Sequence, residues 1–487
     1  MDYGSIIKYV NSRFNKAYSN SSYYSKINEW LEWYKGYVKA VHTVKISNGL
    51  TTPTRDIYRL NMAKRVCEDW ASSLLNEDIK ITISADNNNK SSVFVQGTKG
   101  NGGVLGSNNF EDTLSVLIEQ TFALGTGAFV LNLNNIGVDE LGNIVSSVDA
   151  SIKIDTYNAT RILPISYSNG IITECSFLSE TKIKDKTFYI ISSHVKEDDG
   201  YVIYNDIVDT SYNSVSLDIG ILPIIRTKSQ KPLFYIIKTN IANNVDLDSP
   251  MGLSIYSEAL DNVKCCDLAY DSCIREVITG QRIVMMNKVL LTTDDEGKPI
   301  APQDVKQTYM QFFGDDATDV NEYIKEFHPS LNTDALDKEL QNQLNMLSEK
   351  CGLGVGYYKF DGSSVVTATE YVGNKNDFMR NAKKMTKNIK KALKEMILGI
   401  LFLGKNVLGA NVNDNAKIEV TVSDGVIEDD NKEREQDRQD VRDGIMSKAE
   451  YRAKWYGETI EEAENKIKAI QSGVATGSTQ IIESQNN

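Results

Sequence analysis

"SPMGLSIYSEALDNVKCCDLAYDSCIREV", residues 249 to 277, places Tyr256, Ala259, Val263, Cys266, Tyr270, Cys273 and Val277 at alternating spacings of three and four. That is an apolar seam of period 3.5, the repeat that keeps one face of a helix against a neighbouring helix. A helix from Leu253 to Thr279, rising 1.5 Å per residue, spans about 40 Å. Two readings fit: a long core helix, or a helix packed side by side with copies of itself. Cys266 and Cys273 lie in the seam, so packing accounts for them better than redox chemistry does. A second helix is expected over 333–351, with Leu336, Leu340, Leu344, Leu347 and Cys351 on one face. Between the two, residues 280–330 read as a small separate lobe, in which "RIVMMNKVLLTT" followed by "DDEGKP" suggests a short β-hairpin. The lobe hangs between two antiparallel stalks.

Downstream, residues 351–371 read "CGLGVGYYKFDGSSVVTATEY", a slack run set directly against a helix start. Thr367 and Glu370 form a capping box, each side chain satisfying a backbone donor at the other's position, worth about 1 kcal/mol. The following helix has Gly373 and Asn374 as a candidate kink and two faces from Phe378 onward. Phe378, Ala382, Met385, Ile389, Leu393, Met396 and Ile400 make the apolar one. Arg380, Lys383, Lys384, Lys387, Lys391 and Lys394 make a basic stripe, which reads either as a solvated or subunit-contacting face or as a DNA-facing one. "AKIEVTV" near 416–422 is a strand. The charged run "EDDNKEREQDRQDVRD" then reads as a solvated or inter-subunit helix, and capping boxes at Ser447 with Glu450 and Thr459 with Glu462 mark a small helical unit. The tail "SGVATGSTQIIESQNN" has a composition that favours disorder.

Upstream, helices are expected near 23–41 and 57–75, followed by the strand "IKITIS". The Gly, Asn and Ser-rich stretch 86–109 reads as a flexible surface loop, since its glycines do not fit GxGxxG spacing. A helix, "FEDTLSVLIEQTFALG", then leads into β-rich sequence: "GAFVLNL", "SIKIDTY", "ITECSFLS", "TFYIISSHV" and "YVIYND". Helical and sheet segments are segregated along the chain, an α+β pattern.

Composition bounds the chemistry. With 487 residues, 41% of them hydrophobic and 9% aromatic, the chain has the makings of several folded domains. Its longest apolar run, Met396 to Leu403, is far short of the ~20 residues that cross a bilayer, and "MDYGSIIKYV" lacks a signal peptide's pattern, so the chain reads as soluble, with no membrane partner. The six cysteines make no CxxC pair, and the three histidines lie far from them in sequence. That spacing favours no zinc site, no GxxxxGK[ST] loop occurs, and neither enzymatic chemistry nor a cofactor is expected. The net charge of −13 argues against tight clamping of nucleic acid through many phosphate contacts.

Phrases along nearly the whole chain resemble the SPP1-like family of phage portal proteins. They are "WLEWYKG", "RLNMAKRVCEDWASSLLNEDIKITI", "ALGTGAFVLNL" leading to "IKIDTYNATRILPISY", the stretch 249–277, "YYKFDGSSVVTATEY" and "DGIMSKAEYRAKWYG". None is a catalytic signature; their order and spacing carry the likeness. The resemblance implies a portal fold assembling as a ring of twelve copies at the unique capsid vertex. It implies a wing at 1–250, a first stem helix at 251–279, a clip at 280–330 and a second stem helix at 331–352. A tunnel loop at 353–366, a long wing helix with its returning strand at 367–427, and crown helices with a disordered tail at 428–487 complete it. The implied partners are further copies of the chain, double-stranded DNA passing without sequence specificity, the terminase large subunit, a head-tail adaptor, and the major capsid or scaffolding protein. The implied location is the virion, with assembly in the host cytoplasm. Within the loop, Tyr357, Tyr358, Lys359, Phe360, Ser363 and Ser364 become candidate DNA-facing residues beside the basic stripe. Another virion structural protein of the head-tail junction shares the lack of catalytic chemistry and stands as the alternative.

Overall fold

The fold was analysed as a computed structural model, which describes residues 2–16, 21–46, 52–75, 79–84, 89–98, 102–217, 219–280, 283–287, 295, 308–312, 324–327, 330–359, 368–421, 430–456 and 460–470, with backbone alone at 283–287, 308–312, 324–327, 368–377 and 430–433. The chain divides into two compact units, residues 1–423 and 424–487.

The first unit is mixed helix and sheet. All five β-rich phrases are strands: Thr126–Asn134, Ser151–Asn158, Ile171–Ile183, Lys186–Glu197 and Gly200–Val208. The last three belong to a five-stranded antiparallel sheet that also holds Ile162–Ser168 and Ile224–Arg226. The first two form a three-stranded sheet with Phe234–Lys238. Phe177 of the larger sheet lies 5.5 Å from Phe234 of the smaller one. The Phe110–Leu124 helix covers the smaller sheet, burying Leu114, Leu117, Ile118 and Phe122.

Helix Ala368–Asn406 runs 39 residues, about 58 Å long; Thr367 and the side chain of Glu370, the two members of the expected capping box, lie outside the described residues. The helix passes Gly373 and Asn374 without interruption. Every residue of its expected apolar face is buried. The strand Lys417–Thr421 then pairs antiparallel with Lys80–Ser84, returning the chain to its first third.

Several expectations need correction. The helix expected from Leu253 begins at Leu260, after a 3-10 turn at Ser257–Ala259. Residues 251–256 run across the Phe110–Leu124 helix and its following strand instead, and tertiary bonds satisfy their backbone: Ile255 N–H donates to the Phe122 carbonyl at 2.9 Å, and Gly252 N–H to Thr126 Oγ1 at 2.9 Å. A Cβ at Gly252 would sit 2.3 Å from the Gly125 carbonyl oxygen, so only glycine fits that crossing. The stretch expected as a loop at 86–109 contains two short helices, Lys90–Gln96 and Gly103–Ser107. Val95 and Leu105 anchor them in the core, and Phe94 packs against Gly404 of the long helix. The N-terminal helix of 23–41 stops at Tyr34, where Gly36 turns the chain with φ of 76°. Among the described residues of the 280–330 lobe, strand Ile283–Asn287 does not form the expected local hairpin. It pairs parallel with Thr308–Phe312 and antiparallel with Ile324–Phe327.

The second stalk is helix Thr333–Lys350. Its direction against Leu260–Thr279 follows from two contacts: Asn262 Nδ2 donates to Gln343 Oε1 at 3.3 Å, and Asn332 N–H donates to Glu276 Oε1 at 2.9 Å. Early residues of one helix meet late residues of the other, so the two run antiparallel.

The second unit is helical, with Asp430–Arg442, Lys448–Tyr456 and a helix over 460–470. The Ser447 and Glu450 capping box forms in both directions, with N···O distances of 2.8 and 3.1 Å. Asp437 accepts from Trp455 Nε1 at 2.7 Å and pairs with Lys454 at 2.6 Å, and Lys454 followed by Trp455 holds its carboxyl below the usual range. The Thr459 box and the tail beyond 470 lie outside the described residues.

Candidate nucleic-acid interface

The glycine-rich loop leaves the second stalk helix through three left-handed residues, Gly352, Gly354 and Gly356, with φ of 76°, 87° and 77°. Alternating left-handed glycines fold the chain back on itself, which a β-carbon would strain. This first part of the loop is held from several sides. Trp70 Nε1 donates to the Cys351 carbonyl at 2.9 Å, Asn381 Nδ2 to that of Gly352 at 3.1 Å, and Gln341 Nε2 to that of Tyr358 at 2.6 Å. Leu353 is buried. The Tyr358 hydroxyl donates to Asp69 Oδ2 at 2.8 Å, and burial followed by the Asp69 charge raises its pKa far above the usual phenol value. Tyr357 stacks edge-on to Tyr358 at 5.0 Å and lies 6.3 Å from Phe378. Lys359 is exposed.

The structure therefore ties down Tyr357 and Tyr358, with Tyr357 still keeping an exposed edge, whereas the sequence made both part of a slack run. Phe360, Ser363 and Ser364 lie outside the described residues.

All six cations of the stripe are exposed, opposite the buried apolar face of the same helix. From Arg380 to Lys394 they extend about 21 Å. Lys384, Lys387, Lys391 and Lys394 have no carboxylate partner among the described residues. Burial, and after it the charge of Lys391, lower the Lys238 ammonium below its usual range. Among the described residues the loop touches the long helix at Phe378 and Asn381, beside the N-terminal end of the stripe.

Sequence reasoning missed the joint that fixes the first stalk helix. His42 Nδ1 accepts from the Val38 N–H at 2.8 Å, so its Nε2 carries the proton and donates to Asp267 Oδ2 at 3.2 Å. Asp267 Oδ1 accepts from the Leu60 N–H at 2.6 Å. One turn on, Asp271 takes a forked pair from Arg55 at 2.8 and 2.6 Å and the Tyr58 N–H at 3.0 Å. Burial opposes the charge on Asp271, but Arg55 and the Tyr58 amide prevail and hold its carboxyl below the usual range. The available signal was two aspartates four apart beside an apolar seam. No group of ligands able to hold a metal ion occurs among the described residues, and no helix there is long and apolar enough to cross a membrane.

The architecture is thus a pair of antiparallel helices with a three-stranded sheet between them in the chain, a glycine-rich loop, and a long helix with a basic face. The family signature of phage portal protein, SPP1 Gp6-like, matches residues 14–473, and the chain belongs to that family. Its role is that of a portal protein, a structural component of the phage particle. Among solved structures 61 chains match. One is the "Neck of native GTA particle computed with C12 symmetry", with a TM-score of 0.39 and 11% identity over 80% of this chain and 88% of that one. The comparison with curated proteins finds no match.

Proposed function

We propose that twelve copies of this chain form the ring at the unique vertex of a tailed-phage capsid. In this reading the ring is the channel for packaging and ejecting double-stranded DNA and the platform on which the terminase large subunit and a head-tail adaptor dock. The family match over 14–473 is the observation that carries it. The paired helices Leu260–Thr279 and Thr333–Lys350 serve as the stem, the strands between them as the clip, residues before 250 with the returning strand as the wing, and the second unit as the crown. The loop from 353 to 366 serves as the tunnel loop. Its pinned beginning supports a division of labour in which residues to Tyr358 hold position and the DNA-facing part starts at Lys359. Acidity supports sliding: a chain of charge −13 repels phosphates over most of its surface, leaving only shallow, sequence-independent contacts to a few cations. Capsid or scaffolding protein surrounds the ring in the virion, and the ring assembles in the host cytoplasm.

Imaging purified protein and filled particles down the ring axis tests this reading. Twelvefold rings with a central channel are expected, and cysteines placed at Ser363 and Ser364 should cross-link neighbouring copies or trapped DNA. A chain that stays monomeric at high concentration and is missing from the particle vertex overturns it.

A further inference from the structure

We infer that the basic stripe of the long helix is an inter-subunit surface, and that its occupant is the acidic, leucine-tipped loop at residues 244–248 of a second copy, together with the start of that copy's first stalk helix. The inference rests on the ring reading above, and it assigns the stripe to protein instead of DNA.

Two patches of this chain are left open in complementary ways. On one, Lys384, Lys387, Lys391 and Lys394 stand exposed in a line with no carboxylate partner among the described residues. The segment from Phe378 to Lys394 contains no acidic residue at all. On the other, Asp248, Glu258 and Asp261 are exposed and have no cation partner among the described residues. Asn244 Nδ2 donates to Glu258 Oε1 at 2.7 Å, which joins the loop to the start of the helix and makes these carboxylates one surface.

That acidic surface is also apolar. Leu247 is 85% exposed and Val245 is exposed beside it, so the loop presents two aliphatic side chains among carboxylates. A phosphate backbone would be repelled by this loop and has no use for Leu247. A lysine-lined helix face does: lysine stems cover apolar surface while their ammonium groups reach the acids. The aliphatic and ionic requirements of the two patches are thus met by each other.

Their placement fits contact between copies. The stripe helix and the loop leave a common point, where the Asn388 Nδ2 donates to the Lys238 carbonyl at 3.2 Å and the Asn240 N–H approaches Met385 Sδ at 3.2 Å. Residues 241–248 follow directly. Both patches therefore start from one anchoring point, yet no ion pair joins them among the described residues of the chain. A head-to-tail contact, in which one patch of each copy meets the other patch of the next, uses both, and it gives a ring where the rotation between successive copies closes.

The test is a charge exchange in the full chain. Lys387→Glu with Lys391→Glu alters only exposed positions, and an unchanged circular dichroism melt confirms folding. Assembly, followed by native mass spectrometry across a concentration series, should need about tenfold more protein at physiological salt, because like charges now face each other. Adding Asp248→Lys and Glu258→Lys to the same chain should restore assembly towards that of the parent. Two milder variants, Lys387→Gln and Leu247→Ser, should each weaken assembly in the same direction. Rings that form normally from the Lys387→Glu, Lys391→Glu chain overturn the contact while leaving the ring reading intact. Normal rings whose retention of DNA falls reassign the stripe to DNA and also overturn it. Lost assembly that the second pair of substitutions fails to restore overturns the pairing with this loop. A parent chain that never leaves the monomer sinks the ring reading and this contact together.

Discussion

The helices Leu260–Thr279 and Ala368–Asn406 both carry an apolar stripe at helical spacing, and the structure uses the two stripes differently. Along the long helix the stripe is buried at every step from Phe378 to Ile400. Along the shorter one burial fades: Val263 and Cys266 are buried, Tyr270 and Cys273 are half-buried, and Val277 is 57% exposed. The first stripe finds all of its partners within the chain. The second finds them only near its beginning, where the Tyr256 hydroxyl also donates to the Trp30 carbonyl at 2.7 Å. Periodicity thus reports that a helix face seeks cover, and it is silent on whose residues supply it.

The sharpest way to break this comparison is a pair of truncations read on the dissociated chain by urea denaturation. Ile400→Ala empties a fully enclosed site and should cost about 3 kcal/mol. Val277→Ala should change stability by less than about 0.5 kcal/mol, since the side chain is already in water. Equal losses would erase the distinction between the two stripes.

A second effect separates core from surface by acid. His194 is fully buried between Phe177 and Phe234, neither ring nitrogen has a hydrogen-bond partner, and burial lowers its pKa to about 3. Because the unfolded chain binds that proton near pH 6.5 and the folded chain does not, the stability it confers is complete above pH 6.5 and falls as pH drops towards 3. The slope is about 1.4 kcal/mol per pH unit for one such group. Burial lowers the pKa of His42 as well, against the pull of Asp267, so it adds in the same direction. His194→Leu should flatten the acid limb of a stability profile and, by removing two unsatisfied nitrogens, stabilise the chain at neutral pH by roughly 1 kcal/mol. An unchanged acid limb would show that His194 is not the group that resists protonation.

The seam can be graded within itself. Cys266→Ala should cost about 1–2 kcal/mol in the dissociated chain, while Cys273→Ala, one heptad on, should cost less than about half of that. Burial pushes the Cys266 thiol up to about 12, so alkylation at neutral pH should reach Cys273 before Cys266. Tyr358→Phe deletes one hydroxyl bond to Asp69 and should cost about 1 kcal/mol or less. Its value lies in the local readout, since hydrogen exchange at residues 353–358 should rise while the long helix stays protected.

How much of this was legible in the sequence follows from how local each determinant is. The long helix was readable because seven apolar positions and six cations repeat on opposite faces of one continuous segment. Five of the eight strands of the two sheets were readable because each carries its own β-branched and aromatic run; Ile162–Ser168, Ile224–Arg226 and Phe234–Lys238 were not read as strands. The helices at Lys90–Gln96 and Gly103–Ser107 were not, because one buried valine and one leucine stood among glycine, serine and asparagine whose composition pointed to a loop. The extended path of 251–256 depends on carbonyls and hydroxyls contributed by residues near 122–126, and a seam drawn through Tyr256 could not register them. At the candidate interface the exposure of the stripe followed from its charge. The capture of Tyr358 did not, because its partner Asp69 is 289 residues away in sequence.

One pairing sets the order of events when this chain folds. Ser84 and Lys417 face each other across strands whose residues are 333 apart in sequence, so the Lys80–Ser84 strand lacks this partner until nearly the whole chain exists. Closing so large a loop is entropically costly and slow, and an unpaired strand edge is a site for the wrong chain to join. A ribosome emitting this protein leaves that edge waiting through more than three hundred residues of synthesis. Crowded nascent chains should therefore misassociate at Lys80–Ser84 before they do so anywhere in the later-made helices.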